Sequence, residues 1–406
     1  MSNEIALKGH SKVVSALAVD HSGSRVISGS HDYNVRMFDF QGMKRDLKSF
    51  RQLPAPCGDH QMVALSFSPT GDQFIAVSGS CQPKIFDRDG TELGCYPRGD
   101  MYIRDQKNTK GHVMGCTGGQ WHPTERGEAM SCSLDGTVRL WDVERFNSQK
   151  AVLKPAQTRP GRISATACCY SPDGRLIAAG LADGSVQIWS ATGKMNSAAV
   201  GLVLPPKQQC HYQNKWSYSN SPKHILRSAH PADDEITCIR FSFDNHTMLT
   251  RCADHTLKVW DLRKLKQPVK VFEDLYNNYS QTQIGFSPDE TLFFTGTSAQ
   301  RDGTKGALVF FEKHSLQFVK KVTMPGSAVA MTWNARINQI LVGCGDSKVG
   351  TTQVLFDPAV SERGALTCMA RAPRPKDPAD VQIDYQNIIH NPHALPIFRE
   401  DLRKRK

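Results

Sequence analysis

The stretch SCSLDGTVRLWD (131–142) decides how this chain folds. Ser131 to Ser133 reads as the end of one strand, Asp135-Gly136 as a tight turn, and Thr137 to Trp141 as the returning strand. Upstream, Gly111-His112 precedes a further strand-like run that ends at Trp121-His122-Pro123. His112, Ser131, Asp135 and the Trp141 indole N–H are each costly to bury unpaired, so their occurrence as a set predicts a hydrogen-bonded chain among them. The same ending recurs along the sequence, each time an aromatic followed by an acidic or small polar residue. The pairs are Phe38-Asp39, Phe86-Asp87, Trp141-Asp142, Trp189-Ser190, Trp260-Asp261, Phe311-Glu312 and Phe356-Asp357.

A period of roughly 40–45 residues ending in Trp-Asp is the signature of WD repeats, one four-stranded propeller blade per period. The endings predict an all-β, seven-bladed WD-repeat β-propeller over residues 1–370, its blades closing near 39, 87, 142, 190, 261, 312 and 357. Residues 371–406 read as a Pro-rich, basic, extended C-terminal tail. Blade five repeats the polar set as His230, Thr250, Asp254 and Trp260. Blade one has His10, Ser28 and Asp32, but Phe38 cannot donate; blade four has Asp183 and Trp189 without a clear histidine. Closure needs the chain ends to meet. Glu4–Lys8 is expected as the outer strand of the last blade, with Ala365–Met369 as the alternative.

Composition agrees with many short strands and turns: 39% hydrophobic residues, with 31 Gly and 22 Pro. No segment approaches the ~18 apolar residues of a membrane span, and the opening MSNEIALKGH has no apolar signal core. The twelve cysteines form no C-x-x-C pair. Cys116, Cys168 and Cys238 fall in expected first strands, and Cys132, Cys252 and Cys344 in second strands. They read as small buried hydrophobes in a reducing compartment, cytosol or nucleus. Catalysis is not expected. Gly343–Gly350 runs from strand to strand rather than into a helix, and no metal-ligand spacing or cofactor motif is present. His10, His112 and His230 read as structural groups.

The net charge of +11 is uneven: residues 145–232 hold eleven basic side chains against only Asp173 and Asp183. Two links between blades carry most of it, 149–162 and 193–229. Lys154, Arg159, Arg162, Lys207, Lys215, Lys223 and Arg227 are therefore the expected basic patch, interleaved with Tyr212, Trp216 and Tyr218. Such a patch suits RNA phosphates and stacked bases or an acidic protein partner; the plain alternative is a solvated insertion. The basic end at Asp401–Lys406 suits nuclear import or nucleic-acid contact.

One ending says more than the fold. MLTRCADHTLKVWDLR (248–263) resembles the sixteen-residue box of WD-repeat substrate receptors of cullin-4 ubiquitin ligases, whose distinctive element is the arginine two places after Asp. Asp254, Trp260, Asp261 and Arg263 are the adaptor-binding residues this resemblance implies; a local cap or pairing is the bland reading of Arg263. Blade three fails the test, reading Trp141-Asp142-Val143-Glu144. Residues 14–43, 110–123 and DYQNIIHNPHALPIF (384–398) are similar to the gastrulation-defective, or WD repeat-containing protein 70, family. The resemblance implies a nuclear protein that acts in genome maintenance as a cullin-4 substrate receptor, with links to histone ubiquitination and to spliceosomal assemblies. Two readings follow: a ligase receptor in the chromatin and DNA-damage response, or a fixed spliceosomal scaffold touching RNA and protein neighbours. Neither needs a membrane or a small-molecule substrate.

Overall fold

The computed structural model describes residues 3–103, 105–156, 161, 163–194, 216–219, 221–232 and 234–372. They form seven antiparallel sheets spanning 14–53, 62–95, 116–153, 165–226, 236–272, 284–323 and 327–356, the last completed by Asn3–His10. Each sheet is a propeller blade with its first strand innermost. The all-β, seven-bladed WD-repeat propeller is therefore the fold.

Closure comes from the chain's opening strand. Asn3–His10 pairs antiparallel with Gly350–Phe356, from Asn3 opposite Phe356 to His10 opposite Gly350. The alternative, Ala365–Met369, is corrected: it is a short α-helix. The slot it would have filled is already taken. The helix instead buries Ala365 and Cys368 against Phe40, Met43 and Ile337, across the seam between blades seven and one. Arg371 fastens it by donating to the carbonyls of Phe40 and Met43 at 3.2 and 3.0 Å.

Apolar clusters between neighbouring sheets hold the ring together. In blade three Trp141 stacks on Tyr96 at 4.4 Å. Two of the blades that close on phenylalanine use ring pairs instead, Phe74–Phe86 at 5.3 Å and Phe293–Phe311 at 5.4 Å. A polar device repeats at the centre. Several first strands carry a bulge near their start. There Ser15, Thr117, Thr166 and Thr237 donate their hydroxyls to carbonyls of the next blade, at 2.5, 2.6, 2.8 and 3.1 Å. Nothing in the ending pattern signals these ties, because they sit on the innermost strands.

Blade four is irregular. Its third strand runs on as Val186–Lys194, and two short outer strands, His224–Leu226 and Trp216–Tyr218, pair with its successive halves. Tyr218 is buried and donates to the Gly174 carbonyl at 2.5 Å. Its hydroxyl also meets Nε2 of buried His122 at 3.4 Å. The far end of the long link is thus pinned into the seam between blades three and four.

Candidate interaction site

Blades three and five contain the complete polar chain. His112 Nδ1 lies 3.0 Å from Asp135, its Nε2 lies 2.8 Å from Ser131 Oγ, and the Trp141 indole donates to that oxygen at 2.8 Å. In blade five the corresponding distances are 3.0 Å for His230–Asp254, 2.8 Å for His230–Thr250 and 3.0 Å for Trp260–Thr250. Blade one has His10 bonded to Asp32 and Ser28 at 3.0 and 2.9 Å. In blade four Ala179 stands where the hydroxyl would be, and the buried Trp189 indole nitrogen has no acceptor among the described residues. Burial pushes Asp135 and Asp254 up, but the hydrogen bonds they accept from the histidine, from Thr137 or Thr256 and from the backbone outweigh it and hold each at about 2. Burial likewise lowers His112 and His230. The carboxylates are ionised and the imidazoles neutral. His230, Cys252 and Asp254 converge as a metal site would, yet both imidazole nitrogens of His230 are committed, one to Asp254 and one to Thr250.

The lower face carries the turns between first and second strands and those that follow the third strands. After Trp260, Asp261 accepts the Arg263 backbone N–H at 2.9 Å, and the Leu262 N–H reaches the His246 carbonyl at 2.9 Å. Leu262 and Leu265 pack on the cluster that contains Phe241, Met248 and Trp260. With those two leucines turned inward, Arg263 is left exposed, and its guanidinium has no protein partner among the described residues. Phe243, in the adjoining turn, is 78% exposed. Its backbone N–H is held by Glu290, and Lys313 ties Asp244 to Glu290 at 3.0 and 2.8 Å. An arginine and an aromatic ring therefore project from a braced surface, the composition of an interface anchor. The sequence reading missed Phe243; an aromatic in a Ser-x-Asp-Asn turn was the available signal.

Arg251, inside the same box, has a different role. It is fully buried and donates to the carbonyls of Thr256, at 3.0 Å, and Leu275. Burial lowers its pKa to about 10. Arg139, on the third strand of blade three, is likewise buried and bound to the carbonyls of Gln106 and Thr109 at 2.9 and 3.0 Å. Both are structural cations that fasten loops to the ring.

Of the expected basic patch, Lys154, Lys223 and Arg227 are exposed, while Arg159, Arg162, Lys207 and Lys215 lie outside the described residues, as does the tail from 373. The two links that carry the patch do meet. Gln187 of blade four exchanges bonds with Ala156 at 2.8 Å in each direction and pairs with Ile225 on its strand edge.

Among known proteins, the WD domain, G-beta repeat family matches residues 2–39, 104–142, 154–190 and 220–261. The chain is 40% identical to WD repeat-containing protein 70 of Xenopus tropicalis, an alignment covering 98% of this chain and 59% of the relative. The human protein of the same name is 40% identical over 98% of this chain and 56% of its own length. The Drosophila melanogaster gastrulation defective protein 1 homolog is 37% identical over 98% and 57%. The chain thus spans little more than half the length of these relatives. It belongs to the WD-repeat β-propellers and, along nearly its whole length, aligns with the WD repeat-containing protein 70 and gastrulation-defective proteins.

Proposed function

We propose that this protein is a non-enzymatic, nuclear interaction scaffold that works as a substrate receptor for a cullin-4 RING ubiquitin ligase in the chromatin and DNA-damage response. A WD40 propeller is typically an interaction platform rather than a catalyst, and no enzyme family matches the chain. The observation that carries the ligase reading is the lower turn of blade five. Arg263 stands there exposed and without a partner among the described residues, on an Asp261-capped turn whose leucines anchor it, beside exposed Phe243. A guanidinium so placed makes forked bonds to carboxylates or carbonyls of a partner. The opposite face, or the basic links around Gln187, is left for substrate.

The test is co-purification from nuclear extract, with and without nuclease. Arg263→Ala removes the cullin-4 adaptor while leaving the fold intact; unchanged adaptor recovery sinks the reading. A second reading, a spliceosomal scaffold, rests on the convergence of the two basic links at Gln187. It predicts RNA binding whose salt dependence flattens when Lys154, Lys223 and Arg227 are neutralised.

A further inference from the structure

The first strands enclose a central channel with a cavity of about 340 Å³. Its wall contains an arginine, Arg240, and no aspartate or glutamate among the described residues. We infer that this channel is a binding site for a small phosphate-bearing anion, seated on Arg240.

The register of the wall supports this. At one level of the ring, a side chain of blades two, three and four meets a backbone N–H of the next blade. Ser66 of blade two accepts from Trp121 at 3.1 Å, and Gln120 of blade three accepts from Tyr170 at 2.9 Å. Cys169 of blade four faces the Phe241 N–H in the same manner. Arg240 holds the next place in blade five. A guanidinium has no acceptor, so it cannot continue the series.

Its guanidinium reaches the thiols of Cys169 and Cys238 instead. Burial raises both thiols, with Arg240 only partly opposing, so they stay protonated and offer no countercharge. Arg240 makes no ion pair with any described carboxylate. Gln120 and Gln283 add donors. Each is oriented by its own Oε1, which accepts from Tyr170 and from Met331 at 2.9 and 3.1 Å. The Nε2 groups are then left without an acceptor among the described residues. A half-buried cation with amide donors around it, and no acid to compensate it, favours an anion with several oxygens. The small volume excludes a nucleic-acid strand and suits a phosphate or diphosphate group.

The experiment is calorimetric titration of the full chain with pyrophosphate, against sodium chloride at matched ionic strength and pH. The expected result is saturable binding of about one pyrophosphate per chain. Arg240→Gln abolishes it, Arg240→Lys retains part of it, and Gln120→Ala weakens it about tenfold. If Arg240→Gln does not fold, the wild type decides: Cys168, which lines the cavity, is alkylated more slowly when pyrophosphate is present. No binding beyond the chloride control, equal binding by folded Arg240→Gln, or alkylation unaffected by pyrophosphate overturns the inference.

Discussion

Blades three and five are close duplicates in their polar chains and differ where they meet solvent. Each ends on a Trp-Asp pair whose aspartate caps the turn, Asp142 accepting from Glu144 at 3.1 Å and Asp261 from Arg263 at 2.9 Å. Each turns the next residue, Val143 or Leu262, toward the core. The backbone therefore presents the following side chain in the same way, and one blade offers an acid where the other offers a guanidinium. Across the adjoining turn, half-buried Pro123 stands where blade five has exposed Phe243. A common scaffold holds both turns, and the two differ in the side chains they present to solvent.

The largest effect is expected where the two polar chains differ in depth. Both partners of the His112–Asp135 pair are 0% exposed, whereas Asp254 keeps 7%. Asp135→Ala leaves the His112 imidazole, the Val113 and Thr137 N–H groups and the Thr137 hydroxyl without their acceptor and should cost about 3–5 kcal/mol in all. Asp254→Ala should cost less, and chemical denaturation measures both; equal losses would remove burial as the cause.

Next comes acid. His122, at the seam of blades three and four, is lowered by burial to about 4. The unfolded chain therefore takes up that proton first, so stability is lost as pH falls from about 6.5 toward 4, by up to about 3 kcal/mol. Removing the imidazole with His122→Gln should flatten that part of the urea-midpoint profile. The aspartates act lower: their contribution is held above pH about 4 and lost as pH falls toward about 2.

Arg263→Ala should weaken adaptor binding by about 2 kcal/mol or more while moving stability by less than about 0.5 kcal/mol. The reciprocal Glu144→Arg gives blade three the same spacing. In an Arg263→Ala background it should not restore adaptor capture, because Phe243 has no counterpart there. Restored capture would show that spacing alone suffices. The smallest effect should be Trp189→Phe. That indole N–H has no acceptor to lose among the described residues, so the change should lie within about 0.5 kcal/mol, against about 1–3 kcal/mol for Trp141→Phe.

The propeller was legible because blade endings are periodic and polar sets must be buried whole. Asp135, Ser131 and His112 are far apart in sequence, yet each makes sense only beside the others. Arg263 was legible from its offset after Asp261. Phe243 and Arg240 were not, since what singles them out is exposure in one case and an uncompensated charge in the other, neither of which has a period. Ala365–Met369 misled because a short apolar run is compatible with strand or helix; the place available to it, not its composition, settled the matter.

The closing strand has a consequence for how the molecule is made. Asn3–His10 leaves the ribosome ahead of every blade, but its partner Gly350–Phe356 follows only after the rest of the ring. At about 10 residues per second the wait is roughly half a minute. Throughout it Ile5 and Leu7, buried in the finished ring, stay uncovered on an unpaired strand. Chaperone demand should thus persist until Gly350–Phe356 emerges, and a ribosome-stalled chain lacking the last blade should be more aggregation-prone than one in which the ring has closed.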